Sequence, residues 1–262
     1  MDYWHRQTTI DQDALWNIPE QRTGSVTIIG GNSANFATTI KLAELFHTYN
    51  LKEVRLVLPS SLRNKLPPLP ELIFAPANTS GSFEKSPELL AAISSADACL
   101  IAGDLSKNSA TTVAITDAIK SSTCPVVLTR DSTDLVLAEM STLLEHPNLI
   151  ITATFAQLQK IFRAVYYPKV LLLSMPLVQA IETLHKFTLS YPCTILTFHE
   201  GQIIIARGGD ITTIAIKDTA YSPISLMSGE LATKITTLAA WTPNQLLKDT
   251  ITAIHWDQTT SP

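Results

Sequence analysis

At 262 residues, 45% hydrophobic and 16% charged, the chain is long and apolar enough to bury a full core and carries no signature of bulk disorder. A formal net charge of −4 excludes the broad basic face of a nucleic-acid backbone binder, so no nucleic-acid partner is expected. The longest apolar runs, such as residues 170–173, are far too short to cross a bilayer, and no basic-then-apolar leader opens the sequence, so no membrane partner and a cytoplasmic location are expected.

Residues 1–23 stand apart as an N-terminal extension, polar and without clear periodicity, ahead of a single domain over residues 24–262. Large aromatics in a polar tail usually find a surface to cover, so Trp4 and Trp16 are expected against the domain or a partner subunit, with a neighbouring subunit favoured and the protein a homo-oligomer. From Ser25 the pattern becomes regular. Val26-Thr27-Ile28-Ile29 reads as a strand and residues 34–49 as a helix, with Phe36, Ile40, Ala43 and Phe46 near the helical period. Residues 53–58 form a strand stopped by Pro59, and a Pro-rich connection leads to a short strand at 72–74. Ser86-Pro87-Glu88 opens the next helix, with Ser as cap and Pro at the first helical position.

Residues 98–102, 125–128, 149–151 and 170–173 read as further strands, the first, third and fourth followed by helices near 110–120, 154–165 and 176–188. Continuously apolar strands alternating with helices indicate a parallel sheet covered on both faces. The last third changes character. Residues 193–197 and 202–206 flank His199-Glu200-Gly201 as a hairpin, and Gly208-Gly209-Asp210 turns into a strand at 211–216, giving an antiparallel edge. Two helices close the chain at 231–238 and 243–255, the second with Thr242 as cap, Pro243 in the first turn and Gln245 completing a capping box. Cys99, Cys124 and Cys193 adjoin apolar runs and read as small core residues.

In open α/β sheets ligands bind beyond the carboxyl ends of the strands, near a switch in strand order. The candidates are therefore Gly30-Gly31-Asn32-Ser33, Gly103-Asp104, Thr129-Arg130-Asp131, Thr152-Ala153-Thr154 and Phe198-His199-Glu200. A strand ending in Gly30-Gly31 lets backbone approach a ligand closely, although plain turn chemistry explains it as well. Met227-Ser228-Gly229-Glu230 places backbone N–H groups and a carboxylate at a helix start, a site for an anion and a base. Walker and dinucleotide fingerprints are absent. The six histidines lack metal-ligand spacing, so no metal-ligating set is assigned, and His199 reads as a polar hairpin tip. Asp131 reads equally as a buried acid or as a structural Asp accepting backbone N–H bonds.

The order of elements resembles the ribokinase-like superfamily, a three-layer α/β/α sandwich with a mostly parallel central sheet and an antiparallel edge hairpin. Within it the chain resembles the ADP/ATP-dependent NAD(P)H-hydrate dehydratases and the hydroxyethylthiazole kinases, over residues 25–254. Val26-Thr27-Ile28-Ile29-Gly30-Gly31-Asn32-Ser33 is similar to the family's "IIGGS" turn, and Ala96-Asp97-Ala98-Cys99-Leu100-Ile101-Ala102-Gly103-Asp104-Leu105 to its "ADAxxIGPGLG" segment. Pro125-Val126-Val127-Leu128-Thr129-Arg130-Asp131 is similar to "PVVLDAD", with Thr129 in place of the first acid. Ser228-Gly229-Glu230 falls where the family has "GTGD". The resemblance implies a nucleotide, ATP or ADP, or a related small phosphate ligand, with Ser228 and Gly229 at its phosphates. It also implies Glu230 as base and Asp131 as a charge or Mg²⁺ organiser. Gly30, Gly31, Asn32, Gly103 and Asp104 complete the binding set it implies.

The departures are local to the chemistry. Thr152-Ala153-Thr154-Phe155 stands where the family has "HPGE", Thr197-Phe198-His199-Glu200 where it has "KGA", and Met227 and Glu230 replace the leading Gly and the Asp of "GTGD". Glu230 extends the carboxylate by one methylene, and a shift of about 1 Å at a reacting group can lower a rate about a hundredfold. Lys234, four residues on, is placed to pair with Glu230 along a helix. The first reading is a divergent hydrate dehydratase homologue, enzyme or relic. The second is a non-catalytic ligand-binding or assembly protein on the same fold, and the third a small-molecule kinase, with the altered motifs inclining toward a relic or a repurposed binder.

Overall fold

A computed structural model describes residues 2–7, 18–20 and 22–256. Ten strands form one sheet: β1 (Trp4–Gln7), β2 (Ser25–Gly30), β3 (Glu53–Pro59), β4 (Leu72–Ala75), β5 (Ala98–Gly103), β6 (Val126–Leu128), β7 (Leu149–Thr152), β8 (Thr194–His199), β9 (Gln202–Arg207) and β10 (Asp210–Ala215). Their order across the sheet is β1-β10-β9-β8-β7-β6-β5-β2-β3-β4. β9 pairs antiparallel with both of its neighbours and every other pairing is parallel, so β9 alone runs against the rest. The fold is the expected α/β class.

Seven helices of eight or more residues cover the sheet among the described residues: α1 (Ala37–Phe46), α2 (Pro87–Ser94), α3 (Ser109–Ser121), α4 (Phe155–Ala164), α5 (Leu177–Ser190), α6 (Glu230–Trp241) and α7 (Leu246–His255). Strands buried on both sides explain the continuous apolar runs: every residue of β2 and β5 is buried. Because side chains alternate along a strand, Ile29, Cys99, Ile101, Val126 and Leu128 face one layer. There they meet Leu89, Ile115, Leu158 and Ile181 from α2, α3, α4 and α5. Val26, Ile28, Leu100 and Val127 face the other, against Leu42 and Phe46 of α1, Ile235 of α6 and Ile254 of α7. The capping signal at Ser86 operates as read, accepting from the Leu89 N–H, and Thr154 forms a capping box with Gln157 that sequence reading did not assign.

Four local expectations are corrected. Trp4–Gln7 is a strand, added parallel to β10, with the Trp4 Nε1–H donating to Thr213 Oγ1 at 3.0 Å and Tyr3 stacked on His185. Trp4 is therefore partly covered by its own chain; Trp16 lies outside the described residues. Residues 170–173 are not a strand. β7 and β8 hydrogen-bond to each other directly and leave no slot between them, so this run passes over the helix layer with only Leu171 buried. Its carbonyl is held by Gln159 Nε2 at 2.8 Å.

α7 starts three residues later than expected, at Leu246, without a side-chain cap. The Thr242 hydroxyl closes α6 instead, 2.9 Å from the Leu238 carbonyl and 2.6 Å from the Asp249 carboxylate. His199 is no solvated hairpin tip. It is 5% exposed and stacked on Phe155, with its Nε2 2.6 Å from the Met175 carbonyl, while the turn is made by Glu200 and Gly201, both at positive φ.

Candidate functional site

Strand order reverses at β2, which lies between β3 and β5, and the carboxyl ends of β2, β5 and β6 meet there. Gly30 stands opposite Gly103 in register, and the Gly31 N–H donates to the Gly103 carbonyl at 2.9 Å. A Cβ on Gly30 would come within 2.6 Å of Thr39 Oγ1 and 2.8 Å of the Gly103 carbonyl oxygen, so only glycine allows this approach. Asn32 is 8% exposed and is consumed by the turn. Its Nδ2 donates to the Asp104 carbonyl at 2.6 Å, and its Oδ1 accepts from the Ala34 and Asn35 N–H groups. The sequence-expected Gly30, Gly31, Asn32, Gly103 and Asp104 are thus brought together, with Asn32 as the brace that joins the two loops.

The third strand end supplies charge. Asp131 Oδ1 accepts from the Asp104 N–H at 3.0 Å, which is the structural role the sequence left open. A Cβ on Gly103 would overlap that oxygen. Asp104 and Arg130 both hold φ at +57°, a left-handed conformation rare for these residue types and costly unless the surroundings impose it. The Arg130 guanidinium lies across the end of β5, donating from Nη2 to Asp104 Oδ1 at 3.0 Å and from Nη1 to the Ala102 carbonyl at 3.1 Å. Its own carbonyl accepts from Gln157 Nε2 at 2.8 Å. Gln157 also donates to Asp134, whose carboxyl burial would raise, but bonds from Lys160 and Gln157 with the charges of Lys160 and Lys107 hold it below its ordinary value.

The helix start completes the ring. Gly229 caps α6 at φ +102°, and a Cβ there would meet Leu42 Cδ1 at 2.8 Å and Arg130 Cδ at 3.5 Å. The Ser228 hydroxyl donates to the Ser225 carbonyl at 2.8 Å and accepts from the Glu230 N–H at 3.3 Å. Glu230 does not pair with Lys234. Its carboxylate lies 2.9 Å from Lys41 Nζ on α1, whereas Lys234 Nζ donates to the Trp256 carbonyl at 2.6 Å. The i,i+4 spacing permits the pair, but Lys234 is drawn to the closing turn after α7.

Two hydroxyls here, Thr39 Oγ1 and Thr129 Oγ1, are wholly buried with no hydrogen-bond partner among the described residues. Arg130, Thr39 and Lys41 are the participants that sequence reading did not assign. Arg130 stood within a candidate run, but nothing in an isolated Arg announces a positive φ.

Among the described residues no group of three or more His, Cys, Asp or Glu side chains is placed to hold a metal ion. Cys99 and Cys193 are fully buried, and burial pushes the Cys193 thiol up to about 12 and that of Cys124 to about 11, leaving both protonated near neutral pH. A separate cleft of about 330 Å³ lies between α4 and the 166–171 loop, lined by Phe162, Tyr166 and Val170, away from the strand ends. No helix of the described residues is long and apolar enough to cross a membrane.

The overall fold is that of ribokinase-like proteins of known structure. A ribokinase-like superfamily protein from Enterococcus faecalis V583 superposes with a TM-score of 0.68 at 14% identity, covering 97% of this chain and 87% of that one. The ADP/ATP-dependent NAD(P)H-hydrate dehydratase from Bacillus subtilis, co-crystallised with ATP and Mg²⁺, gives 0.59 at 15% identity, covering 93% and 84%. A hydroxyethylthiazole kinase protein from Pyrococcus horikoshii gives 0.59 at 14% identity, covering 92% and 80%. No family model matches the chain, and no curated protein matches it. The chain therefore shares the fold of these proteins.

Proposed function

We propose that the protein binds a nucleotide, ATP or ADP, or a related phosphate-bearing small molecule in the switch-point crevice, and that it does so without performing the hydrate dehydratase or kinase reaction. The observation that carries this reading is the Glu230–Lys41 ion pair. A general base must come within hydrogen-bond reach, about 2.6–3.2 Å, of the proton it removes. Here the carboxylate at the position of the family's Asp is turned to a lysine on α1. The strand ends keep the means of binding an anion: Gly229 opens α6 without a side chain of its own, and Arg130 lies beside it. The Bacillus subtilis hydrate dehydratase of like fold was co-crystallised with ATP and Mg²⁺ and a pyridoxal kinase from the same organism forms an ADP complex, which supports the same ligand class.

A Mg²⁺ ion would fit this site as part of a nucleotide complex, because such ions are held by one or two carboxylates together with phosphate oxygens. Asp131 is the carboxylate at that place, and the ion would supply charge neutralisation at the phosphates. Asp131 meanwhile holds the Asp104 backbone through its N–H.

The test is a thermal-shift series with ADP, ATP and NAD(P)H, each with and without Mg²⁺. A ligand at a hundred times its dissociation constant stabilises the fold by about 2.7 kcal/mol, a rise in Tm of roughly 5–10 °C for a chain of this size. No shift with any of them would remove the proposal. A hydrate dehydratase with Glu230 as base remains the second reading, favoured by the place of Glu230 in the first turn of α6. It requires the Lys41 pair to open.

A further inference from the structure

We infer that Arg130 is the anion-recognition residue of the crevice and that Asp104 is its latch, so that a phosphate-bearing ligand binds by taking the guanidinium from the Asp104 carboxylate. The inference rests on the phosphate-ligand reading above and adds to it a specificity residue and a regulated resting state.

Arg130 leaves β6 in a left-handed conformation that carries its side chain back over the end of β5. Its Cδ lies 3.5 Å from the point a Cβ on Gly229 would occupy, which places the stem against the N-terminus of α6. A cation there faces the positive end of the helix dipole, an unfavourable position that the Asp104 carboxylate offsets in the ligand-free protein. Guanidinium has five N–H donors in a fixed fork, and the bonds to Ala102 and Asp104 engage two of them. The fork matches the paired oxygens of a phosphate better than the single Asp104 oxygen it now meets.

The two orphaned hydroxyls point to the same ligand independently. Thr129 follows β6 in the alternation that sends Val127 toward α6, and Thr39 Oγ1 comes within 2.6 Å of where a Cβ on Gly30 would sit. Both are fully buried hydroxyls left without partners among the described residues, next to the ends of β2 and β6. A buried hydroxyl without a partner is unfavourable, and an oxygen-rich ligand reaching it relieves that penalty. Arginine, helix start and threonines together select a mono- or polyphosphate over a neutral sugar or a cation. Nucleotide and free pyrophosphate share this chemistry and are separated by the test.

The experiment is calorimetric titration of the full chain with ADP and, separately, pyrophosphate, for the wild type and for D104N, R130K and R130Q. Asparagine tolerates φ +57° and keeps the shape of Asp104 while releasing the guanidinium. The latch predicts that D104N binds at least several-fold more tightly than the wild type, that R130Q loses tenfold or more, and that R130K falls between them. Circular-dichroism melts confirm that each variant is folded; should D104N not fold, the order of wild type, R130K and R130Q carries the test. A response to ADP alone supports the inference with a nucleotide as ligand, and a response to both supports it with the phosphates as the recognised group. Wild-type binding with D104N equal or weaker overturns the latch and leaves the phosphate-ligand reading standing. Absence of binding by the wild type and by D104N overturns both.

Discussion

Gly103 concentrates the local demands of the site. It sits at φ +91°, stands opposite Gly30 in register, and leaves the volume that an Asp131 oxygen occupies. Alanine there must adopt a left-handed conformation and push Asp131 off the Asp104 N–H, and each effect is worth about 1–3 kcal/mol. Gly201 is the internal control, at φ +75° with nothing near its missing Cβ. Gly103→Ala is therefore expected to lower stability by about 2 kcal/mol or more in denaturant unfolding, and Gly201→Ala by about half that; equal losses would contradict the packing argument.

Glu230 gives the opposite expectation. Its pair with Lys41 is exposed on both sides, and such pairs are worth about 0–1 kcal/mol. Glu230→Gln should leave Tm and ADP affinity nearly unchanged. A tenfold loss of affinity would show that the carboxylate faces the ligand. At this scale the sequence made the glycines and Asp131 legible, because strand ends followed by small or acidic residues are local patterns. Arg130 and Lys41 were not legible, since their roles depend on a backbone conformation and on a helix 189 residues distant.

Single elements succeeded or failed by how local their signals were. Ser86-Pro87 starts α2 where the capping pattern says, because the partners lie within one turn, and Thr154-x-x-Gln157, not assigned from the sequence, starts α4 in the same way. The same pattern at Thr242 failed because the hydroxyl has competing acceptors at Leu238 and Asp249. Residues 170–173 show that four apolar residues cannot distinguish a strand from a covering segment when the sheet has no vacancy.

β1 escaped because a four-residue polar strand has its pairing partner about two hundred residues away, at Ile211 to Ile214. The contribution of this strand is measurable through Trp4. Trp4→Phe removes the donor to Thr213 Oγ1, which is fully buried, and should lower stability by about 1 kcal/mol while leaving ligand binding intact. No change in stability would mean that β1 is held without this bond.

The docking of α4 beneath the site adds a pH expectation. The Asp134 carboxyl is lowered in the folded state, so its contribution is present above the ordinary carboxylate range and is lost as pH falls through the folded value. Asp134→Asn should narrow its gap from the wild type as pH is lowered into that range, read as Tm against pH. A gap independent of pH would contradict the ionic account.

On the scale of the molecule, the alternation of apolar strands with helices sufficed to fix an α/β sheet and its two packed faces, because burial on both sides leaves an unmistakable composition. The chemistry was less legible, since one methylene at Glu230 or one rotation at Arg130 redirects a site without disturbing the core that supports it. The account's central claim is binding in the crevice without turnover. It is tested most directly by following the recovery of NADH absorbance from NADH hydrate, with ATP or ADP and Mg²⁺ at concentrations that raise the Tm of the wild type. The account predicts no rate above that of the hydrate alone, although nucleotide is bound. Turnover by the wild type that Glu230→Gln abolishes would contradict it and make Glu230 the base.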